Sequence, residues 1–243
     1  MGAGSEQVAP CFAVGHGYAC FQGRATADGS LHRHAAFQIA IAVRGEVTVV
    51  DAHGTRHRAA ALVVPPMVRH RMLAVPQLRT FFVDPHCAFA DRLRDRCGDG
   101  VTEAHELRHL RESDLRNAGG RPSDRLDPRL SAALDLLAVR SLPMPDLAAR
   151  VGLSPQRLRA LARQELGMPL ARWRIWRRLA RAADALCEGQ SLAEAASTGG
   201  FADQAHLSRQ MREMIGLTPS AVLRALHPSA APGDVDGDRT VDR

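Results

Sequence analysis

Residues 147–167 read LAARVGLSPQRLRALARQELG, and residues 191–216 read SLAEAASTGGFADQAHLSRQMREMIG. The two stretches share a layout. Ala148 and Gly152 stand four apart in the first, Ala196 and Gly200 four apart in the second. In a helix-turn-helix, a small residue lets two helices approach, a glycine ends the first, and a later apolar residue packs back between them. Leu158 fills that last place in the first copy; Leu207 fills it, one residue later, in the second. Ser154 is a natural N-cap with Pro155 at the first turn, and Asp203 caps the second copy. Helical periodicity then predicts Leu158, Leu161, Ala162 and Leu166 inward, with Gln156, Arg159, Ala160 and Arg163 outward. In the second copy Leu207, Met211, Met214 and Ile215 turn inward and Ala205, Arg209 and Arg212 outward, with Gln204, His206 and Ser208 near the helix start.

Between the copies, LARWRIWRRLARAADALCEG (170–189) predicts one helix from Ala171 to Glu188, about 27 Å long at 1.5 Å per residue. That length suits two reading helices entering successive major grooves on one face of a duplex. Trp173, Trp176, Ala180 and Ala183 supply its packing face. Arg172, Arg174, Arg177, Arg178 and Arg181 are candidates for phosphate contact.

These residues carry a resemblance. The segment from about Asp127 to Leu226 resembles the DNA-binding domain of AraC/XylS-type bacterial transcription regulators. Leu147-Ala148, Gly152, Ser154, Gly167 and Arg178-Leu179 match in the first half. Ala196, Gly200-Phe201, the run Asp203-Gln204-Ala205-His206-Leu207-Ser208-Arg209, Gly216-Leu217-Thr218-Pro219 and Arg224 match in the second. The resemblance implies base reading by Gln156, Arg159, Gln204 and Arg209. Arg157, Arg163, Arg177, Arg178, His206 and Ser208 complete the expected DNA-binding set. Arginine offers guanine a bidentate fork, and glutamine offers adenine a donor–acceptor pair. Ala160, Ala162 and Met211 depart from the family's usual Arg, aromatic and Phe.

Charge agrees with this placement. The 243-residue chain carries +6, with 32 arginines and no lysine. Residues 127–228 hold +5 of it, residues 1–126 +3 and residues 229–243 −2. A basic half is the footprint of an anionic partner. No apolar run reaches the roughly 18–20 residues of a membrane span, and no secretory signal is visible, so a cytoplasmic protein with no membrane partner is expected. Five cysteines with no C-x-x-C pair fit reduced thiols.

The first half reads differently. Residues 35–50 (AAFQIAIAVRGEVTVV) and 79–84 (RTFFVD) are β-branched and aromatic, with Gly45 as a turn, which predicts hairpin strands in a small antiparallel β domain over residues 1–84. Phe89, Leu93 and Cys97 predict a helix from about Pro85 to Arg96, inside a helical interdomain linker spanning 85–126. The DNA-binding domain then spans 127–226. A Pro-, Gly- and Asp-rich tail, 227–243, is expected to be disordered. Its Asp234-x-Asp236-x-Asp238 starts like a calcium loop, but Arg239 stands where that loop needs glycine.

The spacing His32-x-His34-x-x-x-Gln38-x6-Gly45 matches the first cupin motif, with Gln38 in place of the usual Glu. Pro65-Pro66-Met67-Val68-Arg69-His70 resembles the second, with Met67 in place of Gly. The first half is thus similar to the cupin-like effector-binding and dimerisation domain joined to many AraC-type regulators. Two apart on a strand, His32 and His34 share a face. With His70 and the Gln38 amide oxygen they could hold a divalent transition metal; an organic-effector pocket using these histidines is the leading reading, and a structural role the third.

The fold expected is therefore two-domain: a cupin-like jelly roll, then an all-α domain with two helix-turn-helix motifs on a long helix. The expected function is sequence-specific transcription regulation through double-stranded DNA, controlled by a small-molecule or metal effector. The resemblance adds RNA polymerase and a homodimer as partners. The alternative is a metal-dependent cupin enzyme with a DNA-binding appendage; Gln38 removes its most obvious acid/base group, so no enzyme activity is expected.

Overall fold

The computed structural model describes residues 11–25, 31–140 and 142–226. Among the described residues, nine strands build the first half: β1 (Cys11–Gly15), β2 (Tyr18–Ala25), β3 (Phe37–Ala42), β4 (Val47–Asp51), β5 (Arg56–Ala59), β6 (Ala61–Val64), β7 (His70–Met72), β8 (Val75–Val83) and β9 (Thr102–Glu103). They form a six-stranded sheet, β1-β2-β8-β3-β6-β9, and a three-stranded sheet, β5-β4-β7. Every described pairing is antiparallel. Strand alternation sorts the side chains. Ala40, Val47, Val49, Leu62, Val64 and Met72 pack together between the sheets. Ile39, Ile41, Val63 and Phe81 join a second cluster on the other face of the larger sheet.

Two expectations need correction. The runs either side of Gly45 do not pair as a hairpin: β3 pairs with β6 and β8, whereas β4 pairs with β5 and β7. β3 is buried along its whole length and takes a central place in the larger sheet. Gly45, at φ +75°, turns the chain toward the smaller one. Residues 85–126 are also not merely a linker. α1 (Ala88–Arg96), a short 3-10 helix (His105–His109) and α2 (Glu112–Gly119) follow β8, and β9 pairs with β6. Phe89, Leu93, Leu110 and Leu115 are buried against Phe37, Ile39 and Phe81. Four apolar anchors in a polar stretch suffice to pin it to the sheet.

The second half is helical: α3 (Pro128–Val139), α4 (Met144–Arg150), α5 (Pro155–Leu166), α6 (Leu170–Cys187), α7 (Leu192–Thr198), α8 (Gln204–Ile215) and α9 (Pro219–Leu226). The long connecting helix lies within a residue of its expected bounds, and Trp173 and Trp176 are buried on it. The halves share one core, in which Phe12, Phe21 and Phe82 from the strands meet Trp176, Leu179 and Ile215. The tail 227–243, with its calcium-like Asp run, lies outside the described residues.

Candidate functional site

Each helix-turn-helix is built by local chemistry. Ser154 Oγ accepts the Arg157 backbone N–H at 3.2 Å, and Asp203 Oδ1 accepts that of His206 at 2.6 Å. Both caps satisfy donors that a helix start leaves open. Gly152 and Gly200 adopt φ of +66° and +76°, a left-handed turn that glycine enters without the Cβ penalty. The buried stripes are Leu158, Leu161, Ala162 and Leu166 on α5 and Leu207, Met211, Met214 and Ile215 on α8. Gln156, Arg157, Arg159 and Arg163 are exposed on α5, as are Gln204, Arg209 and Arg212 on α8.

The remaining expected residues have other occupations. Four of the five α6 arginines expected at phosphate are engaged within the protein. Arg178 Nε donates to the Gly199 carbonyl at 3.2 Å, Nη2 donates to that of Gly200, and the guanidinium lies 4.5 Å from the Phe201 ring centroid. It clasps the turn of the second motif. Arg177 faces Asp84, Arg174 donates to the Leu142 carbonyl, and Arg172 pairs with Glu213. The physical reason is common to all four: the carbonyls and carboxylates around α6 lie within reach of its long side chains. His206 Nδ1 accepts the Ala202 backbone N–H and its ring meets Phe201 edge-on, while Ser208 Oγ donates back to the Gln204 carbonyl.

A second cluster lies where the sheet domain meets α8. His32 and His70 exchange two backbone hydrogen bonds of 2.9 Å, which sets their rings side by side. His34 shares the face, and the three ring centroids stand 4.6–4.9 Å apart. Met67 N–H donates to the His34 carbonyl with Met67 itself at φ +66°, so the place where the cupin pattern has glycine is a left-handed one. His34, His70 and Gln38 are buried.

Hydrogen bonding fixes the tautomers. His34 Nδ1 lies 2.6 Å from the Met214 carbonyl and His70 Nδ1 3.0 Å from that of Val68. Carbonyls only accept, so each Nδ1 carries the proton. Burial, then neighbouring rings, push His34 far below the usual histidine value and His70 down to about 4, so both rings stay neutral near neutral pH. Their Nε2 lone pairs therefore converge on Gln38 Oε1, at 3.1 and 2.8 Å. Acceptors facing acceptors need a resolution. Either the amide turns to give its NH2 to both rings, or a cation sits among them with Oε1 in place and the amide NH2 donating to Thr80 Oγ1 at 3.2 Å. The ligand atoms of the three histidines lie within 4.8 Å of one another, a donor set that fits a borderline divalent cation.

Sequence reasoning missed the partners of both clusters. Asp84, 1% exposed, ends the sheet with Oδ1 2.6 Å from His86 Nδ1 and Oδ2 3.6 Å from Arg177. Trp173 Nε1–H donates to it at 3.4 Å. Burial alone would raise this carboxyl's pKa, but the charges of His86 and Arg177 outweigh it and hold it below the usual carboxylate range. The Asp-x-His spacing at 84–86 was the one local signal. The Met214 carbonyl left none, because backbone groups carry no sequence mark.

Fold and motif together define a class: a sheet domain joined to a double helix-turn-helix, the architecture of a DNA-binding regulator. Residues 147–225 match the helix-turn-helix domain family. The match covers 79 of the chain's 243 residues and gives it a helix-turn-helix DNA-binding domain. Over 88% of its length it shares the fold of ToxT from Vibrio cholerae O395, at 11% identity and TM-score 0.57, covering 99% of that chain. A structure of unsaturated fatty acid bound wild-type ToxT from Vibrio cholerae strain SCE256 gives 12% identity and TM-score 0.56, over 88% of this chain and 97% of that one. A transcriptional regulator with an AraC-type DNA-binding domain from Chromobacterium violaceum is 28% identical over 44% of this chain and 96% of its own, at TM-score 0.39. No curated protein matches the sequence. Among the described residues, no helix is long and apolar enough to cross a membrane.

Proposed function

We propose that this regulator reads a two-part DNA site sequence-specifically, and that an effector held at His32, His34, Gln38 and His70 controls its occupancy. Gln156 and Arg159 on α5, and Gln204 and Arg209 on α8, contact base edges. Arg157 and Arg163 contact phosphate. One observation supports this best: two capped helices expose glutamine and arginine outward while a single 18-residue helix joins their motifs. The unsaturated fatty acid in wild-type ToxT is a ligand in a protein of this fold, which favours effector control here. RNA polymerase and a second copy of the chain belong to the same reading through the family resemblance.

Selection of bound duplexes from a random pool tests it. Sequence reading predicts a shared motif of two blocks about one helical turn apart, and tighter binding to it than to random DNA at every salt concentration. Recovery of duplexes with no common motif would contradict it.

A further inference from the structure

The histidine cluster is built into the second reading helix rather than merely near it. Met214 lies in the last turn of α8, where carbonyls lack partners within the helix, and the buried His34 Nδ1–H takes that role from the other domain. His32 packs on Gly216, the left-handed cap of the same helix: a Cβ there would stand 2.8 Å from its Nε2. The fit leaves no room for a side chain. Beside His32 lies a cavity of about 520 Å³ lined also by Arg33, Arg69, Arg209, Arg212 and Glu213. His32 is half-buried and forms part of that wall, giving a route from solvent to the two buried rings.

We propose that His32, His34 and His70, with the Gln38 amide oxygen, bind a divalent transition-metal cation that clamps the end of α8 to the sheet domain and tightens DNA binding. This rests on the effector-controlled reading and names both its ligand class and its route. Three imidazoles and an amide oxygen suit zinc-like cations better than magnesium or calcium, which favour several charged oxygens. The Nδ1–H groups of His34 and His70 already donate to backbone carbonyls, the arrangement that aims a metal-binding histidine and raises its basicity. A cation on His34 Nε2 polarises Nδ1–H and strengthens its bond to Met214. The direction follows from two features. Gln204, Arg209 and Arg212 stay exposed while α8 is clamped. The added positive charge lies beneath a rim of four arginines, and so increases attraction for DNA phosphate.

The test uses the full chain with Zn2+ as probe and a duplex recovered by selection. Metal analysis after dialysis against zinc and chelator-stripped controls gives stoichiometry; gel-shift titration gives affinity with and without zinc. One zinc per chain is expected, with DNA affinity rising on the order of tenfold. His32→Ala should weaken zinc binding beyond the roughly 10–100-fold that a mere supporting residue costs, and its affinity ratio with and without zinc should fall to one. Gln38→Glu, of almost the same shape, supplies a carboxylate and should bind zinc more tightly than wild type. His53→Ala, which removes an exposed histidine far from the cluster in sequence, should keep the full response. If wild type fails to retain stoichiometric zinc, the metal site is refuted whatever Gln38→Glu does, while intact binding of the selected duplex leaves the regulator reading standing. If zinc binds through His32 but DNA affinity does not change, the clamp is refuted.

Discussion

The two helix-turn-helix motifs share their caps, their left-handed glycines and their buried stripes, yet they are braced by different parts of the molecule. In the first, Glu165 of α5 accepts the Asp127 backbone N–H at 2.7 Å, which ties the reading helix to the start of α3 in its own domain. In the second, α8 is held from the sheet domain by the His34–Met214 bond and from α6 by the Arg172–Glu213 pair. The Arg178 clasp and the Phe201 ring hold its turn. Local sequence specifies that both motifs form. Contacts from distant segments decide which of them can be influenced by events in the sheet domain.

Substitutions can break this contrast, beginning with the seat of α6 on the sheet domain. Asp84→Asn leaves Arg177 and His86 without their carboxylate, a loss of about 3–5 kcal/mol for a buried pair stripped of one partner. Denaturant unfolding of the full chain checks this. The sign with pH is fixed by the lowered carboxyl of Asp84. Its contribution is present above the unfolded value of about 3.9 and is lost as pH falls through the lower folded value. Wild type should therefore lose stability below about pH 4 more steeply than Asp84→Asn. Equal slopes would mean that folding does not lower the pKa of the Asp84 carboxyl.

A smaller effect separates the reading faces. Arg209→Ala should cost about 1–3 kcal/mol of specific binding and relax one base position in the block read by α8. Unchanged affinity in a gel-shift titration would show that the outward face of α8 has been wrongly assigned. Smaller still are the caps. Ser154→Ala and Asp203→Ala should each cost about 0.5–2 kcal/mol. Unfolding followed by amide exchange should show each loss confined to its own motif, and a loss shared by both would erase the local side of the contrast.

What was legible in the sequence follows the same division. Ser154, Asp203, Gly152 and Gly200, and the stripes from Leu158 to Leu166 and Leu207 to Ile215, act over three or four residues, so spacing reveals them. His32, His34 and His70 were legible as a set because the cupin-like motif spacing names them, although His32 makes only an isolated bridge to His70 and His34 lies outside the strands. Strand partners were not: β3 and β4 have the composition of a hairpin, and only the positions of β6, β7 and β8 decide that they separate. The α6 arginines were expected at phosphate because an outward arginine and one reaching a neighbouring carbonyl look alike in sequence. Asp84 acquires its role only from Arg177 and Trp173, some ninety residues on.

The central claim is that two helices each read their own stretch of DNA. Its most direct test repeats duplex selection with two variants, Gln156→Ala combined with Arg159→Ala, and Gln204→Ala combined with Arg209→Ala. Each variant should lose preference in one block and keep the other, with the blocks about one helical turn, roughly 10 base pairs, apart. If both variants relax the same positions, or neither changes the selected motif, the account of two separate reading helices is contradicted.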